Sequence, residues 1–426
     1  MELSIELIPT GMPVAVAFAE QAAKAAGLET SAAAMLALST EELFMSLCNS
    51  IPERTIILGF KDRRHAVDLT FFVPQPPPDL GIFNITSRPD HATEEGLAGM
   101  GLYLASRACD QFSVRRQPNG GWEILLRKER SYPRQETTST ENSTIVTDWR
   151  ITSDAGPEPL KQLSQLIGRR YSACQFPEEF TPSGRLLDKL AGGHYGAVVA
   201  EAVDGRLAGG MIWHIGNNRI VHCFGPYLTE TMNNEQLSIE LCEKLTELFG
   251  RSERLGLLIQ SPLPLPPAAG FEASGSVITP SGELWCGYRM LTEEFGAVAV
   301  VAEELLPFYE HLSNSMALAR NLRPYRDSGE SGDGTTLFAT RLNRVGAMAH
   351  LRPLLVGRDA GMVLEDHLRL LDSERFSAVY CQLDTGRPYD ALLAPHLLKQ
   401  GFSPRILVPW GGSGDLILLF RAGAGQ

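Results

Sequence analysis

The stretch AVVAEAVDGRLAGGMIWH, residues 197–214, holds two runs of small and branched apolar residues on either side of a short polar turn. Both runs have the composition of strands, and the turn between them centres on Asp204 and Gly205, a pair typical of tight hairpins. A third run, RIVHCFGPYL at residues 219–228, follows a second turn, GNNR. These residues therefore predict a three-stranded antiparallel meander.

Further predicted elements extend the meander on both sides. Helical patterns precede it at residues 159–171 and 181–191, a long helical pattern follows at residues 233–249, and the runs LGLLIQS and GFEASGSVI come next. The last part of the chain repeats this order in a weaker form and ends on the strands GFSPRILVPW and DLILLFRA. A repeated order of elements indicates two related α/β units in tandem, which we place at residues 148–295 and 296–426.

Both units resemble the GNAT acyltransferase fold, in which two helices, antiparallel strands, a helix, a fifth strand and a helix precede a Gly-Phe step. Gly270-Phe271 and Gly401-Phe402 occupy that step here. The resemblance implies a ligand such as acetyl-CoA or another acyl-CoA, whose pyrophosphate is held by backbone amides at a helix entrance. In RPLLVGRDAGM, Gly357 and Gly361 precede a helix and are the predicted coenzyme A site.

Catalytic groups of the GNAT family are incompletely matched. Many members carry a tyrosine four residues before the Gly-Phe step as the acid that protonates the leaving thiolate. Those positions hold Pro266 and Leu397 here, and neither side chain can donate a proton. The resemblance therefore favours ligand sensing over catalysis.

Three glycines lie close together in EEGLAGMGLYLASRACD, residues 94–110, where Gly96, Gly99 and Gly101 precede a helical run. The first amides of a helix are unpaired, so a glycine-rich entrance can receive a phosphate. Two helices and two strands precede this stretch with a Pro-rich lid between, and two strands follow it. The arrangement resembles the GHKL (Bergerat) ATP-binding α/β sandwich of gyrases, histidine kinases and anti-sigma-factor serine kinases, over residues 1–130.

The GHKL resemblance implies an ATP site with magnesium. The family's catalytic glutamate corresponds to Glu41 or Glu42. Four residues after Glu42, Ser46 stands in the place of the metal-binding asparagine, with Asn49 three residues further on. The Asp-x-Gly box that binds adenine corresponds to Asp79 and Gly81, which follow three prolines. Because Ser46 replaces the asparagine and the box is shifted, retention and loss of ATP binding both stay open.

Size and charge limit the remaining possibilities. A chain of 426 residues exceeds the usual single core, and the polar segment at residues 131–147 is typical of a linker between domains. The formal charge of −12, from 50 acidic and 38 basic residues, opposes binding to nucleic acid. No apolar run is long enough to cross a membrane, and no basic segment introduces a secretory signal. We expect a cytoplasmic protein.

Cysteine and histidine spacing argues against a metal site. The seven cysteines are scattered without a CxxC pair, which is typical of reduced core thiols, and the nine histidines show no HxxxH or HxH spacing. In the same way, WGGSGD at residues 410–415 lies between two strands and favours a hairpin turn over a phosphate-binding loop.

Together the patterns predict a multidomain mixed α/β protein of bacterial regulation or signalling. It would sense a nucleotide, an acyl-CoA or a similar small metabolite, and act on a regulatory protein partner. Three alternatives stay open: an N-acetyltransferase that uses acetyl-CoA, a serine protein kinase or anti-sigma factor with Glu42 as base, and a non-catalytic interaction scaffold.

Overall fold

The computed structural model describes residues 1–51, 54–74, 80–87, 108–117, 120–133, 148–193, 195–216, 219–229, 235–326 and 334–423. The chain divides into two compact units. The first unit comprises residues 1–132, 332–340 and 353–367, and the second comprises residues 133–331, 341–352 and 368–426. Neither unit is a single continuous stretch of chain.

Among the described residues up to 133, the first unit contains a five-stranded sheet and two helices. The strands are β1 (Glu2–Glu6), β2 (Thr55–Asp62), β3 (Ala66–Val73), β4 (Gln111–Arg116) and β5 (Trp122–Glu129), and the helices are α1 (Met12–Ala25) and α2 (Thr30–Ser50). The order across the sheet is β1-β2-β3-β5-β4, and these strands pair antiparallel. The two helices predicted before the glycine-rich stretch and the two predicted pairs of strands are present, and β1 was not predicted.

The core of the first unit lies between the helices and one face of the sheet. On β2, Ile56, Leu58 and Phe60 are buried, while the residues between them are exposed or half-buried, as the period-two alternation of a strand requires. The buried residues of α1 are all alanines, which allows close approach of its neighbours. Leu337, from the downstream segment 332–340, belongs to the same core and is 2% exposed.

Twelve strands form the large sheet, most of which belongs to the second unit. The strands are β6 (Trp149–Thr152), β7 (Tyr195–Ala202), β8 (Leu207–Ile215), β9 (Ile220–Leu228), β10 (Gly256–Ser261), β11 (Glu272–Thr279), β12 (Gly282–Met290), β15 (Leu337–Asn343), β16 (Met348–Leu355), β17 (Ala378–Asp384), β18 (Ser403–Val408) and β19 (Leu416–Ala422). Two further strands, β13 (Ala297–Val301) and β14 (Arg320–Pro324), form a separate parallel pair.

Where the structure describes the chain, six helices accompany these strands: α3 (Pro157–Arg170), α4 (Ser183–Ala191), α5 (Glu235–Phe249), α6 (Leu306–Ser315), α7 (Ala360–Ser373) and α8 (Ala394–Lys399). The boundary between the two units passes through β15, β16 and α7. No helix among the described residues is both long and apolar enough to span a membrane.

The first half of the large sheet has the order β6-β7-β8-β9-β10-β12-β11. Its strands pair antiparallel except β9 and β10, which are parallel and joined through α5. A parallel pair needs such a crossover, and α5 buries the apolar residues Leu237, Leu241 and Leu245 along one side. The predicted meander is confirmed, and this order of elements follows the GNAT resemblance except that only a 3-10 turn, Pro267–Ala269, precedes Gly270.

The second half repeats the parallel pair, with the order β15-β16-β17-β19-β18. Strands β16 and β17 are parallel and joined through α7, and a 3-10 turn with α8 leads on to β18. The two halves meet where Gly275 of β11 pairs with Ile406 of β18. The chain is thus a mixed α/β protein in which the same strand–helix–strand unit occurs twice.

Candidate functional site

Three residues of the predicted nucleotide site lie on α2. Glu42 and Ser46 are half-buried and one helical turn apart, so they share a face, whereas Asn49 is exposed. Gly81 lies in a 3-10 turn, where its carbonyl accepts a hydrogen bond of 2.6 Å from the Ser87 hydroxyl. The remaining predicted residues lie outside the described part of the chain: Asp79, Gly96, Gly99 and Gly101. The ATP site therefore stays a prediction.

The predicted coenzyme A entrance at Gly357 and Gly361 is filled by the protein's own groups. The Gly357 amide donates a hydrogen bond of 2.9 Å to the Thr336 hydroxyl, and the Thr336 amide donates one of 2.8 Å to the Asp359 carboxylate. A side chain at position 357 would meet the Gly334 carbonyl oxygen, which shows how tightly this entrance is packed. Gly361 is half-buried in the first turn of α7. These contacts do not fit a pyrophosphate at Gly357.

A different arrangement lies where the parallel strands β9 and β10 stop pairing. Their register runs from Ile220 opposite Gly256 to Phe224 opposite Gln260. Beyond Phe224, β9 continues alongside β8 as far as Leu228. Residues 225–228 are buried, and among the described residues no strand pairs with them on the β10 side; we call this segment the open edge of β9.

The backbone of Leu228 at this open edge is held by one tyrosine side chain. The following amide, of Thr229, donates to the Ala208 carbonyl oxygen of the β8 side, so the Leu228 amide points away from β8. That amide donates a hydrogen bond of 2.8 Å to the Tyr171 hydroxyl, which in turn donates to the Leu228 carbonyl oxygen at 3.4 Å. Tyr171 therefore satisfies both a donor and an acceptor of the open edge.

Aromatic side chains surround the open edge of β9. Tyr227 is fully buried, meets the Tyr171 ring edge-on with ring centroids 5.0 Å apart, and donates a hydrogen bond of 3.4 Å to the Gln175 carbonyl oxygen. Phe180 is also fully buried, and its ring centroid lies 5.3 Å from that of Phe224. Burial raises the pKa of Tyr171, so its hydroxyl stays protonated and keeps its role as a donor at neutral pH.

A charged network lies on the same side of the sheet. The Glu179 carboxylate accepts a hydrogen bond of 3.0 Å from the Tyr195 hydroxyl and one of 3.0 Å from Arg341, and Lys189 lies 3.9 Å away. Burial alone would raise the pKa of Glu179, but Arg341 and Lys189 together lower it to about 2. Glu179 is therefore a permanent anion with its partners in place, which suits a structural role.

The sequence analysis missed one buried acid, Asp390, which follows β17, the strand that pairs parallel with β16. Asp390 is 2% exposed, and its carboxylate accepts a hydrogen bond of 3.1 Å from the Asp384 amide. Burial raises the pKa of Asp390 to about 7, although Arg387 lies 3.4 Å away and opposes the shift. A carboxyl group that titrates near neutrality can transfer protons. No motif in the sequence marks this aspartate.

The segment at residues 410–415 is a hairpin turn, as predicted. Its amides bind an internal anion, because Ser413 and Gly414 donate to the Asp384 carboxylate at 2.7 and 2.8 Å. Asp415 accepts hydrogen bonds from Tyr309 at 2.6 Å and from Arg320 at 2.9 and 3.0 Å. These carboxylates occupy the donors that a phosphate would need.

Cysteines and metal-binding side chains give no further site. All cysteines are free, and six of the seven are buried, as expected for core thiols. Within the described ranges, no group of three or more histidine, cysteine, aspartate or glutamate side chains is arranged to hold a metal ion.

Comparison with known proteins gives matches of fold alone. No family model matches the chain, and no curated protein matches it. Among solved structures, an aminoglycoside 6'-acetyltransferase of type Ii is 14% identical over 34% of this chain and 99% of its own, with a TM-score of 0.27. A GNAT-superfamily phosphinothricin acetyltransferase from Sinorhizobium meliloti, in complex with acetyl-CoA, is 15% identical over 33% of this chain and 88% of its own, with a TM-score of 0.28.

A third structure, a putative acetyltransferase from Salmonella typhimurium with its cofactor acetyl-CoA, is 14% identical. It covers 35% of this chain and 96% of its own, with a TM-score of 0.27. All three likenesses extend over about a third of this chain.

Proposed function

We propose that this protein is a regulatory protein whose second unit binds an acyl-CoA, or a metabolite with a similar amide-bearing arm, at the open edge of β9. Binding would be sensed and not followed by acyl transfer. The observation that carries the proposal is the contact of the Tyr171 hydroxyl with both the amide and the carbonyl of Leu228.

The chemistry of that contact indicates what can replace it. Leu228 needs one acceptor for its N–H and one donor for its C=O, and buried backbone groups must be paired. A secondary amide, such as those in the arm of coenzyme A, offers a carbonyl oxygen and an N–H about as far apart as two neighbouring strand groups. Because Tyr171 is only half-buried and follows the end of α3, its side chain is the part that can move aside.

Proton-transfer groups are lacking at the positions that the family uses, which supports sensing. Pro266 precedes a 3-10 turn, and Leu397 is fully buried in α8. The alternative of an active acyltransferase is favoured by one observation, the Asp390 carboxyl with its pKa of about 7. An anti-sigma-type kinase depends on the nucleotide-site residues of α2 and on those outside the described part of the chain.

Thermal unfolding with separate additions of acetyl-CoA and Mg-ATP tests the proposal. At 100 times its dissociation constant, a ligand that binds only the folded state adds about 2.7 kcal/mol of stability. We expect such a shift with acetyl-CoA. Tyr171→Phe removes the competing hydroxyl and should tighten acetyl-CoA binding several-fold, whereas the matched variant Tyr389→Phe, at a tyrosine that is 49% exposed, should leave binding unchanged.

The alternatives give different results in the same experiment. Absence of a shift with either compound would favour the scaffold. In a separate assay, acetyl-CoA is mixed with amines. If the protein releases free coenzyme A and Asp390→Asn abolishes the release, the protein is a catalyst and not a sensor. A shift with Mg-ATP that is lost on chelating magnesium and weakened by Glu42→Gln would favour the kinase.

A further inference from the structure

Within the described part of the chain, the edge strand β1 of the first unit has backbone hydrogen-bonding groups without partners. The Phe60 amide donates to the Met1 carbonyl oxygen and the Leu7 amide donates to the Arg54 carbonyl oxygen, both at 2.8 Å. Residues with odd numbers therefore pair with β2, and the alternation of an antiparallel ladder turns the N–H and C=O groups of Glu2, Ser4 and Glu6 away from it.

Glutamates are the only charged side chains of β1. Its five residues pair with β2 without a shift in register, so the strand has no bulge, and its sequence ELSIE contains no proline, lysine or arginine. Of the devices by which natural edge strands avoid pairing, β1 has its short length and its negative charge, which opposes an acidic partner strand but not a basic one. Among the described residues, the outward groups of Glu2 and Ser4 have no hydrogen-bond partner, while the Glu6 carbonyl oxygen accepts from the Ile8 amide at 2.9 Å.

The side chains of β1 indicate which kind of strand fits the edge. Glu2, Ser4 and Glu6 are exposed on one face, and within the described ranges neither glutamate forms an ion pair. Leu3 and Ile5 on the other face are half-buried against the core. A complementary strand would therefore carry basic residues four positions apart, with branched apolar residues between them.

A second copy of this chain fits the edge poorly. Antiparallel pairing of two β1 strands about Ser4 would place Glu2 of one copy opposite Glu6 of the other, and parallel pairing in register would place each glutamate beside its equivalent. Like charges directly opposite each other destabilise a strand pair. The observed charges thus favour a basic partner over self-association.

We propose that β1 is a docking edge for an extended basic segment of a partner protein, which adds a strand to the sheet of the first unit. Main-chain hydrogen bonds to Glu2, Ser4 and the Glu6 amide supply affinity, and the two carboxylates select lysine or arginine at two positions of the partner that are four residues apart.

A peptide probe tests this docking edge on the full chain. The probe is the heptapeptide Thr-Lys-Val-Thr-Val-Lys-Thr with blocked ends and a fluorescent label, and its matched control carries glutamate in place of both lysines. We expect the lysine peptide to raise fluorescence anisotropy at low salt, with affinity at least ten-fold above that of the control and falling as salt is added.

Two variants distinguish strand addition from loose charge attraction. Ser4→Pro removes an outward N–H without touching the pairing with β2, since proline is tolerated on edge strands with that side free, and it should weaken the lysine peptide at least ten-fold. Glu2→Lys/Glu6→Lys should reverse the preference toward the glutamate peptide. Hydrogen exchange of residues 55–73 verifies that both variants keep the sheet.

Three results would overturn the proposal. These are equal binding of the two peptides, lysine-peptide binding that Ser4→Pro leaves unchanged, and absence of binding by either peptide. Concentration-dependent dimers of the unmodified chain that Ser4→Pro dissociates would instead identify a second copy as the occupant.

Discussion

His367 illustrates how a single buried group couples this fold to pH. It is fully buried on α7, its Nδ1 donates to the Val363 carbonyl oxygen at 2.7 Å, and its Nε2 has no hydrogen-bond partner among the described residues. Burial lowers the pKa of His367 to about 4 from an ordinary 6.5. The unfolded chain therefore binds a proton below pH 6.5 that the folded chain does not bind, and stability falls as pH drops from 6.5 toward 4.

We predict that His367→Leu flattens this acid dependence. A single such histidine contributes a slope of up to about 1.4 kcal/mol per pH unit to the free energy of unfolding, and removing it removes that slope. Urea unfolding at pH 7.5, 5.5 and 4.5 measures the difference, with His396→Gln, at an exposed position, as the control. A wild-type slope that persists in His367→Leu would show that other groups carry it.

The roles of individual residues were the part of the candidate site that the sequence predicted least well. Glu42 and Ser46 do share a face of α2, because helical spacing is local information. Tyr171 and Asp390 gained their significance from contacts that no local pattern encodes, a strand end 57 residues away for Tyr171 and near-complete burial for Asp390. Gly357 looked like an open helix entrance, and only tertiary packing placed Thr336 on its amide.

At the scale of elements, two glycines with nearly the same backbone conformation have different surroundings. Gly275, at the bulge of β11, has φ +129° and Gly282, at the start of β12, has φ +127°. An added Cβ at Gly275 would meet the Arg405 carbonyl oxygen at 2.0 Å, whereas one at Gly282 would meet nothing within 4 Å. The close approach at Gly275 permits β11 to pair with β18, which joins the two halves of the large sheet.

We predict that Gly275→Ala destabilises the second unit well beyond Gly282→Ala. Both variants carry the strain of a positive φ, about 1–3 kcal/mol, and only Gly275→Ala adds a backbone clash at the junction of the halves. Thermal unfolding of the two proteins gives the comparison directly. Equal losses of stability would mean that φ alone matters and that the β11–β18 junction contributes little.

Elements with strong patterns were predicted well, and a short one was not. The meander of β7, β8 and β9 and the helix α5 came from long apolar runs with clear turns. Strand β1 has only Leu3 and Ile5 as apolar residues, which is too little signal to separate a strand from an irregular terminus. Its existence depends on pairing with β2, a contact about 55 residues away along the chain.

At the scale of the whole molecule, the sequence predicts consecutive domains, while the first compact unit also includes residues 332–340 and 353–367. The Asn84 side chain shows how this association is made. Its amide nitrogen donates to the Thr336 carbonyl oxygen at 2.8 Å, and its carbonyl oxygen accepts from the Phe338 amide at 2.9 Å. Contacts across some 250 residues leave no composition or periodicity to detect, so neither the linker at residues 131–147 nor the repeated order of elements could indicate this association.

Leu337 gives this association a measurable consequence. Its side chain is 2% exposed within the core of the first unit, although it belongs to a segment far downstream of that unit's sheet. Leu337→Ala should therefore destabilise β2 and β3 by about 2–5 kcal/mol, the usual cost of truncating a buried leucine. Hydrogen exchange of residues 55–73 in the full chain reports this unit separately. Leu263→Ala, at a leucine that is 59% exposed, should leave exchange unchanged, and an equally silent Leu337→Ala would mean that the N-terminal sheet is stable without its downstream segment.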